Sequence, residues 1–477
     1  MLEKTFHRLP GIRHKQADLG GLTQRHAMGS LTRSLGRFVS NLTLLAVPAA
    51  GCATAKIGII DCIGVLVAGA RDPVVGLIDR ELSGADGKEM ARLLPSGKRR
   101  NAEDAALTNG VAAHVLDYDD VTLDGHPSAI LVPAIMAQGE VSGSTGEELL
   151  AAYIAGYEVW AELLIREPTP LHTKGWHPTA MRGTVAASAA CSKLRRLNEL
   201  QTATALAISA SMASGVVANF GTLTKPFQVG RAAQAGLIAA RLADAGLTAA
   251  TDALEHPAGF LAALSPVANA DRDRPFNDPV ATWHIIRQGL NLKRYPVCYG
   301  AHRAIDATLD LVQKHDLRPD DVSRVRVSTG AAQMIMLRNS HPRTVLEAKF
   351  SMQFAIASAI VARAVGLAQL TDDFVNAAPV QSLFDRISCD VTSETMDGSV
   401  FAPSETVEIN TTSGRELKSE HIVYAKGSFQ RPLSRTELWD KFSDCLGDSI
   451  AAKNKTRWFE ELTQLEAVKS AHDLLVS

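Results

Sequence analysis

STGEELLAAYIAGYEVWAELL, from Ser144 to Leu164, reads as one long helix with its start marked. Thr145 stands three residues before Glu148, so a hydroxyl and a carboxylate each satisfy a backbone N–H at the helix N-terminus. Behind that pair, apolar side chains recur at helical spacing. Working outward, the chain from Leu31 to about Leu264 reads almost entirely as helix. Arg231 to Ala245, RAAQAGLIAARLADA, is rich in alanine and stops at Gly246. Ala232, Gly236 and Ala240 recur every four residues, a smooth stripe on which a second helix can approach closely.

The character changes near Pro266. Ser265 to Pro279, SPVANADRDRPFNDP, is loop-like. Strand signals follow. Val322 to Ser328 alternates, and Glu405 to Asn410 alternates ahead of Ser413-Gly414 and a second arm from Leu417 to Val423, the pattern of a β-hairpin. Helices over Ala301–Lys314 and Leu346–Val365 sit among these strands, with Lys225 placed ahead of a helix that starts near Gly230. Ser434 marks a return to helix. The expected fold is therefore mainly α: a helical domain over 31–284, a smaller α+β lid domain over 285–428, and a C-terminal return to the helical domain over 429–477. Residues 1–30 read as a disordered extension, with Met28 as the functional start.

Bulk composition excludes several classes. Of 477 residues, 46% are apolar and 21% charged, a globular profile. A net charge of −2 gives no handle for nucleic acid or an anionic membrane. Six cysteines are scattered without CxxC spacing, which points away from a structural metal and toward a reducing cytoplasm. The best apolar run, Ile57 to Ala70, is short and carries Asp61, so no membrane span is expected.

Two stretches carry the chemistry. GHPSAI begins at Gly125 and WHPTAM at Trp176. Proline suits the first turn of a helix, where its missing N–H costs nothing. His126 and His177 then sit at helix N-termini, where the positive end of the dipole attracts anions and disfavours imidazolium. Upstream of His126 runs NGVAAHVLDYDDVTLDGHPS, with Asp117, Asp119, Asp120 and Asp124. Lys225 lies in TKPFQVGRAAQAG, and Lys293, Arg294, Tyr295, Cys298 and His302 lie in LKRYPVCYGAHRAID. Together they offer an acid–base set and several cations, as an anionic substrate needs. Asp119, Asp120 and Asp124 also match DDxxxD, a Mg²⁺–diphosphate motif of helical isoprenoid synthases, but no second acidic motif accompanies them.

These segments, with AGYEV, GWHPTAMRGT and EAKFSMQF and in this order, resemble the MmgE/PrpD family. The resemblance covers most of the chain from about Leu31. It implies a helical domain with an α+β lid, a homodimer, and no metal or organic cofactor. The activities it implies are dehydration, decarboxylation or epimerisation of small di- and tricarboxylic acids, as in 2-methylcitrate dehydratase, cis-aconitate decarboxylase and iminodisuccinate epimerase. By motif, the catalytic positions fall on Asp117, His126, His177 and Lys225. Lys293, Arg294, Tyr295, Arg182 and Cys298 are the substrate-binding candidates. The chain departs from the decarboxylase pattern at Val121, Gln228, Cys298, Phe354 and Arg182.

All these reactions build negative charge on a carbon beside a carboxylate, which cations stabilise. Lys225, Lys293 and Arg294 are the candidate cations. His126 and His177 are the candidate acid and base, with Asp117 orienting or tuning one of them. A cofactor-independent lyase is the expectation; an epimerase or a non-catalytic carboxylate-binding protein is the alternative.

Overall fold

The capping box forms as its spacing predicts: Glu148 N donates to the Thr145 hydroxyl, and Thr145 N donates to the Glu148 carboxylate. The helix it opens runs to Arg166 and is buried over most of its length. In this computed structural model, residues 30–82, 90–279, 282–396 and 401–476 are described. The expected extension over 1–30 lies, but for Ser30, outside the described residues.

A first hydrophobic core runs from Leu31 to Leu292 and is completed by residues from Leu438 to Leu475. Its main helices are α1 (Leu31–Asn41), α2 (Ala49–Gly69), α3 (Ala102–His114), α4 (Pro127–Ser142), α5 (Gly146–Arg166), α6 (Pro178–Leu194), α7 (Glu199–Met212) and α8 (Thr224–Asp244). A two-stranded antiparallel sheet, β1 (Met90–Arg92) with β2 (Arg99–Asn101), interrupts the expected run of helices. A second core, from Tyr295 to Ile409, is built on α9 (His302–His315), α10 (Met352–Val361) and a four-stranded sheet in the order β4-β3-β5-β6. Here β3 (Val322–Gly330) runs parallel to β4 (Ile387–Thr392) and antiparallel to β5 (Thr406–Thr411), which turns back into β6 (Glu416–Lys418). The chain then returns to the first core as α11 (Arg435–Leu446) and α12 (Ala452–Thr463).

By length and composition α2 could cross a membrane, yet most of it is buried in the first core. Its one acid, Asp61, forms a buried ion pair with Lys441 of α11 at 2.6 Å. That pair fastens the C-terminal return to the first core.

Three boundaries differ from the sequence reading. Helix α8 begins at Thr224 rather than near Gly230, so Lys225 belongs to its first turn; Pro226 is tolerated there because first-turn N–H groups have no intrahelical partner. The expected helix over Leu346–Val365 is two, Val345–Ala348 and α10, because the Ser351 hydroxyl accepts from Phe354 N and starts a new helix. The returning hairpin arm forms a regular ladder over Glu416–Lys418, with one further bridge from Ile422 to Glu405; at Ser419 its N–H still donates to Val407 O, but the N–H of Val407 goes to the Ser419 hydroxyl instead of the backbone.

Small residues set the helix spacing. The Ala232–Gly236–Ala240 stripe is buried, and a Cβ on Gly236 would stand 2.4 Å from Ala187 Cβ of α6. Where α3 meets α8 the backbones touch: a Cβ on Gly110 would lie 2.6 Å from Gly230 Cα. Alanine's better helix propensity favours Gly110→Ala by about 1 kcal/mol. The clash is with backbone, which cannot rotate aside, and it outweighs that gain. Urea denaturation of Gly110→Ala is expected to show a net loss of about 1–3 kcal/mol.

Candidate active site

The site is built on the segment that leaves α3. Asp117 takes the left-handed region at φ +52, as do Leu123 and Asp124 further on. Non-glycine residues adopt this conformation uncommonly, aspartate more readily than leucine, and it persists where surroundings hold it. Here three successive carbonyls are each held by a lysine from elsewhere in the chain. Lys349 Nζ donates to Leu116 O at 3.1 Å, Lys293 Nζ to Asp117 O at 2.7 Å, and Lys441 Nζ to Tyr118 O at 3.0 Å. Beyond them, the turn at Leu123–Asp124 is held by Arg182, which donates to the Asp124 carboxylate at 2.9 Å and to Glu167 O at 2.7 Å.

The Asp117 carboxylate lies between two ammonium groups. Lys225 Nζ donates to its Oδ1 and Lys293 Nζ to its Oδ2, each at 2.8 Å. Burial alone would raise this acid; Lys225 and Lys293 outweigh it and hold Asp117 well below the usual carboxylate range. Three ammonium groups, Lys225, Lys293 and Lys349, bear on this acid, against two carboxylates, Asp117 and Asp119, so a positive charge is left for a ligand.

The imidazoles occupy two different settings. His126 and His177 are the N-cap residues of α4 and α6, with Pro127 and Pro178 in the first turns. His126 Nδ1 donates to Asp120 O at 2.9 Å and faces the buried Asp119 carboxylate at 3.0 Å. His114, at the end of α3, donates from Nδ1 to the same carboxylate at 2.9 Å, and its ring meets that of His126 edge-on. Burial opposes the charge on Asp119, but His114 and His126 outweigh it and keep the acid ionised. His114 itself is lowered to about 4, chiefly by burial. Among the described residues, no carboxylate pairs with His177. Its Nδ1 lies 2.6 Å from Gln228 Oε1, and burial, then His114 and Lys225, lower it to about 3. Phe220 lies between His177 and Lys225, edge-on to the imidazole and with Lys225 Nζ 5.5 Å from its ring centre.

The structure thus brings Asp117, Lys225, Lys293, His126 and His177 into one neighbourhood, with the His114, Asp119, Lys349 and Phe220 that sequence reasoning did not select. Cys298 lies close enough to feel Lys293, Asp117 and Lys225, and burial pushes its thiol up. Three expectations are corrected. Asp117 does not orient a histidine; Asp119 does, because the left-handed turn at Asp117 aims its carboxylate at the lysines. Arg294 and Tyr295 point away. The Tyr295 hydroxyl donates to Asp306 at 2.6 Å, and both side chains line another cleft of about 330 Å³ with Lys426 and Arg431. Arg182 is only 1% exposed and already paired, so it supports the turn before His126 rather than meeting a substrate. The DDxxxD acids also diverge, Asp119 to imidazoles, Asp120 to the Ser128 hydroxyl and Asp124 to Arg182.

His114, Asp117, Asp119 and His126 offer donor atoms within 4.8 Å of one another, the spacing of a metal set. The chemistry of the set does not suit a cation. Two ammonium groups already sit 2.8 Å from Asp117, and both imidazoles aim protonated nitrogens at Asp119. An anion fits these charges.

Comparison with known proteins agrees in extent. The MmgE/PrpD N-terminal domain matches residues 33–273 and the MmgE/PrpD C-terminal domain residues 295–466. The chain belongs to the MmgE/PrpD family. Among its relatives, human cis-aconitate decarboxylase is 27% identical over 381 residues, covering 78% of this chain and 76% of that protein. The cis-aconitate decarboxylase of Aspergillus terreus is 24% identical over 92% and 93% of the two chains. A cis-aconitate decarboxylase-like protein of Aspergillus oryzae is 22% identical over 94% and 97%. The signals for His114, Asp119 and Lys349 lay inside the stretches that carried the MmgE/PrpD resemblance, but spacing alone did not show which acid would meet which base.

Asp117→Asn tests this electrostatic core. The substitution leaves Lys225 and Lys293 facing each other, and an unfolding free-energy loss of about 3 kcal/mol is expected, the low end for a broken buried pair because Asp117 keeps 18% exposure. Since the folded state lowers the Asp117 pKa, its contribution is present above the unfolded value of about 4 and lost below it. The gap between wild type and variant in urea denaturation should be constant from pH 7 to 5 and close as pH falls below 4.

Proposed function

We propose that the chain is a lyase that removes CO₂ or water from a small tricarboxylic acid, using its own side chains and no resident cofactor. The observation that carries this reading is the pair of lysines sharing one aspartate beside two imidazoles, one facing a carboxylate and the other an amide. Relatives named cis-aconitate decarboxylase, matched over most of their length, support it.

The uncompensated ammonium charge of Lys225 and Lys293 receives a substrate carboxylate. As the bond beside that carboxylate breaks, electron density moves onto it, and cations fixed in place stabilise the developing enolate-like charge without reorganising. Decarboxylation then needs one proton delivered to the carbon that lost CO₂. Dehydration needs a proton taken from carbon and another given to the departing hydroxyl. His126, whose Nδ1 faces the Asp119 carboxylate, is the proton donor. His177, neutral and backed by an amide, is the acceptor. Lys349, whose pKa burial lowers, supports the lysine pair from the lid side.

The direct test is NMR of purified protein with a panel of di- and tricarboxylates in D₂O. Release of CO₂ or formation of an alkene from a tricarboxylate is the expected result. Deuterium entering a substrate without net conversion would indicate an epimerase instead, and neither turnover nor exchange across the panel would contradict the reading. On the substrate found, His126→Asn and His177→Asn are expected to lower kcat by about 10²–10⁴-fold. Lys225→Met should lower it by about 10²–10³-fold.

A further inference from the structure

We infer that Gln228 is a positioning residue that fixes His177 as the tautomer carrying its proton on Nδ1, so that the Nε2 lone pair is the one available to a substrate. Gln228 Nε2 donates to Val216 O at 3.1 Å. A carbonyl oxygen only accepts, so the NH₂ end must face Val216 and the Oε1 end must face His177. Oε1 in turn only accepts, and it lies 2.6 Å from His177 Nδ1. The proton of that bond therefore belongs to Nδ1. Flipping the amide would set oxygen against oxygen at Val216 and lose one bond of the pair.

The surroundings leave neither side chain room to turn. His177 is 1% exposed and Gln228 8%. The loop carrying Val216 is pinned to the helix that follows His177: His177 N donates to Gly215 O at 3.0 Å. Gly215 has φ +137, and a Cβ there would stand 3.1 Å from Gln228 Oε1 and 3.3 Å from His177 Cβ. Only glycine lets this loop lie so close against the pair. The titratable groups bearing on His177 from neighbouring elements are His114 at the end of α3, His126 at the start of α4 and Lys225 on α8; each favours the neutral ring, as burial does.

The choice of partner has a chemical consequence. Asp119 gives His126 a charged acceptor; Gln228 gives His177 a dipole that does not titrate. A neutral acceptor fixes the tautomer without stabilising imidazolium, which suits a base at Nε2. That catalytic role rests on the lyase reading, whereas the tautomer does not.

Full-length protein labelled with ¹⁵N-histidine tests the tautomer by two-bond ¹H–¹⁵N correlation, with the His177 signals identified by their loss in His177→Asn. The wild type is expected to show His177 protonated on Nδ1 at neutral pH. In Gln228→Glu, of the same shape but charged, the ring should titrate about 1–3 pH units higher, and the acid limb of kcat/KM should rise with it. In Gln228→Leu the tautomer preference should be lost and kcat should fall about 10–100-fold, the usual effect of removing an orienting partner. A wild-type ring protonated on Nε2, or a tautomer and titration unchanged in both variants, would overturn the inference. The spectra need no substrate. Correct spectra from a protein inert toward every acid would sink the lyase reading alone; an active lyase with the other tautomer would sink this inference alone.

Discussion

The sharing of the Asp117 carboxylate by Lys225 and Lys293 is the interaction on which the molecule turns. Lys225 comes from the helical part of the chain and Lys293 from the segment that enters the second core, so a single acid links the two. It can do so only because Asp117 adopts a left-handed backbone. That conformation is costly for a residue with a Cβ. The lysines that hold the carbonyls of Leu116, Asp117 and Tyr118 supply the compensation, two of them with buried ammonium groups. Fold and site are thus one construction: the contacts that stabilise the strained turn are the contacts that place the cations.

A second consequence follows from where the imidazoles start. Both follow one rule, histidine before a proline that opens a helix, and both lie at the positive end of that helix. Equal positions would give equal bases. The chain separates them by their hydrogen-bond partners, a shared carboxylate for His126 and an amide for His177. A carboxylate can answer a charge on the ring it faces and an amide cannot, so the two partners distinguish the rings where position does not.

Much of this was legible in the sequence. The Thr145 box, the Ser434 cap, the two His-Pro helix starts and the alternating strand at Val322 are local signals, and local signals survive into structure. What the sequence hid is directional. Asp117 and Asp119 are two residues apart and chemically equivalent on paper; a positive φ sends one to lysines and leaves the other to histidines. Lys293 and Arg294 are adjacent cations, yet one enters the site and the other lines a different cleft. Arg182 read as a substrate-facing cation because nothing in WHPTAMRGT reveals Asp124 and Glu167 O across the interior. Long-range partners of this sort depend on how elements pack, which periodicity does not encode.

On the proposed function, the Lys225–Asp117–Lys293 cluster holds the substrate as an anion. The most direct measurement is a crystal structure with propane-1,2,3-tricarboxylate, which is saturated and lacks a hydroxyl to eliminate. The account predicts one carboxylate against the ammonium groups of Lys225 and Lys293, with the carbon chain lying between His126 and His177. A tricarboxylate bound instead in the cleft of Arg294 and Arg431, with the lysine cluster untouched, would contradict it.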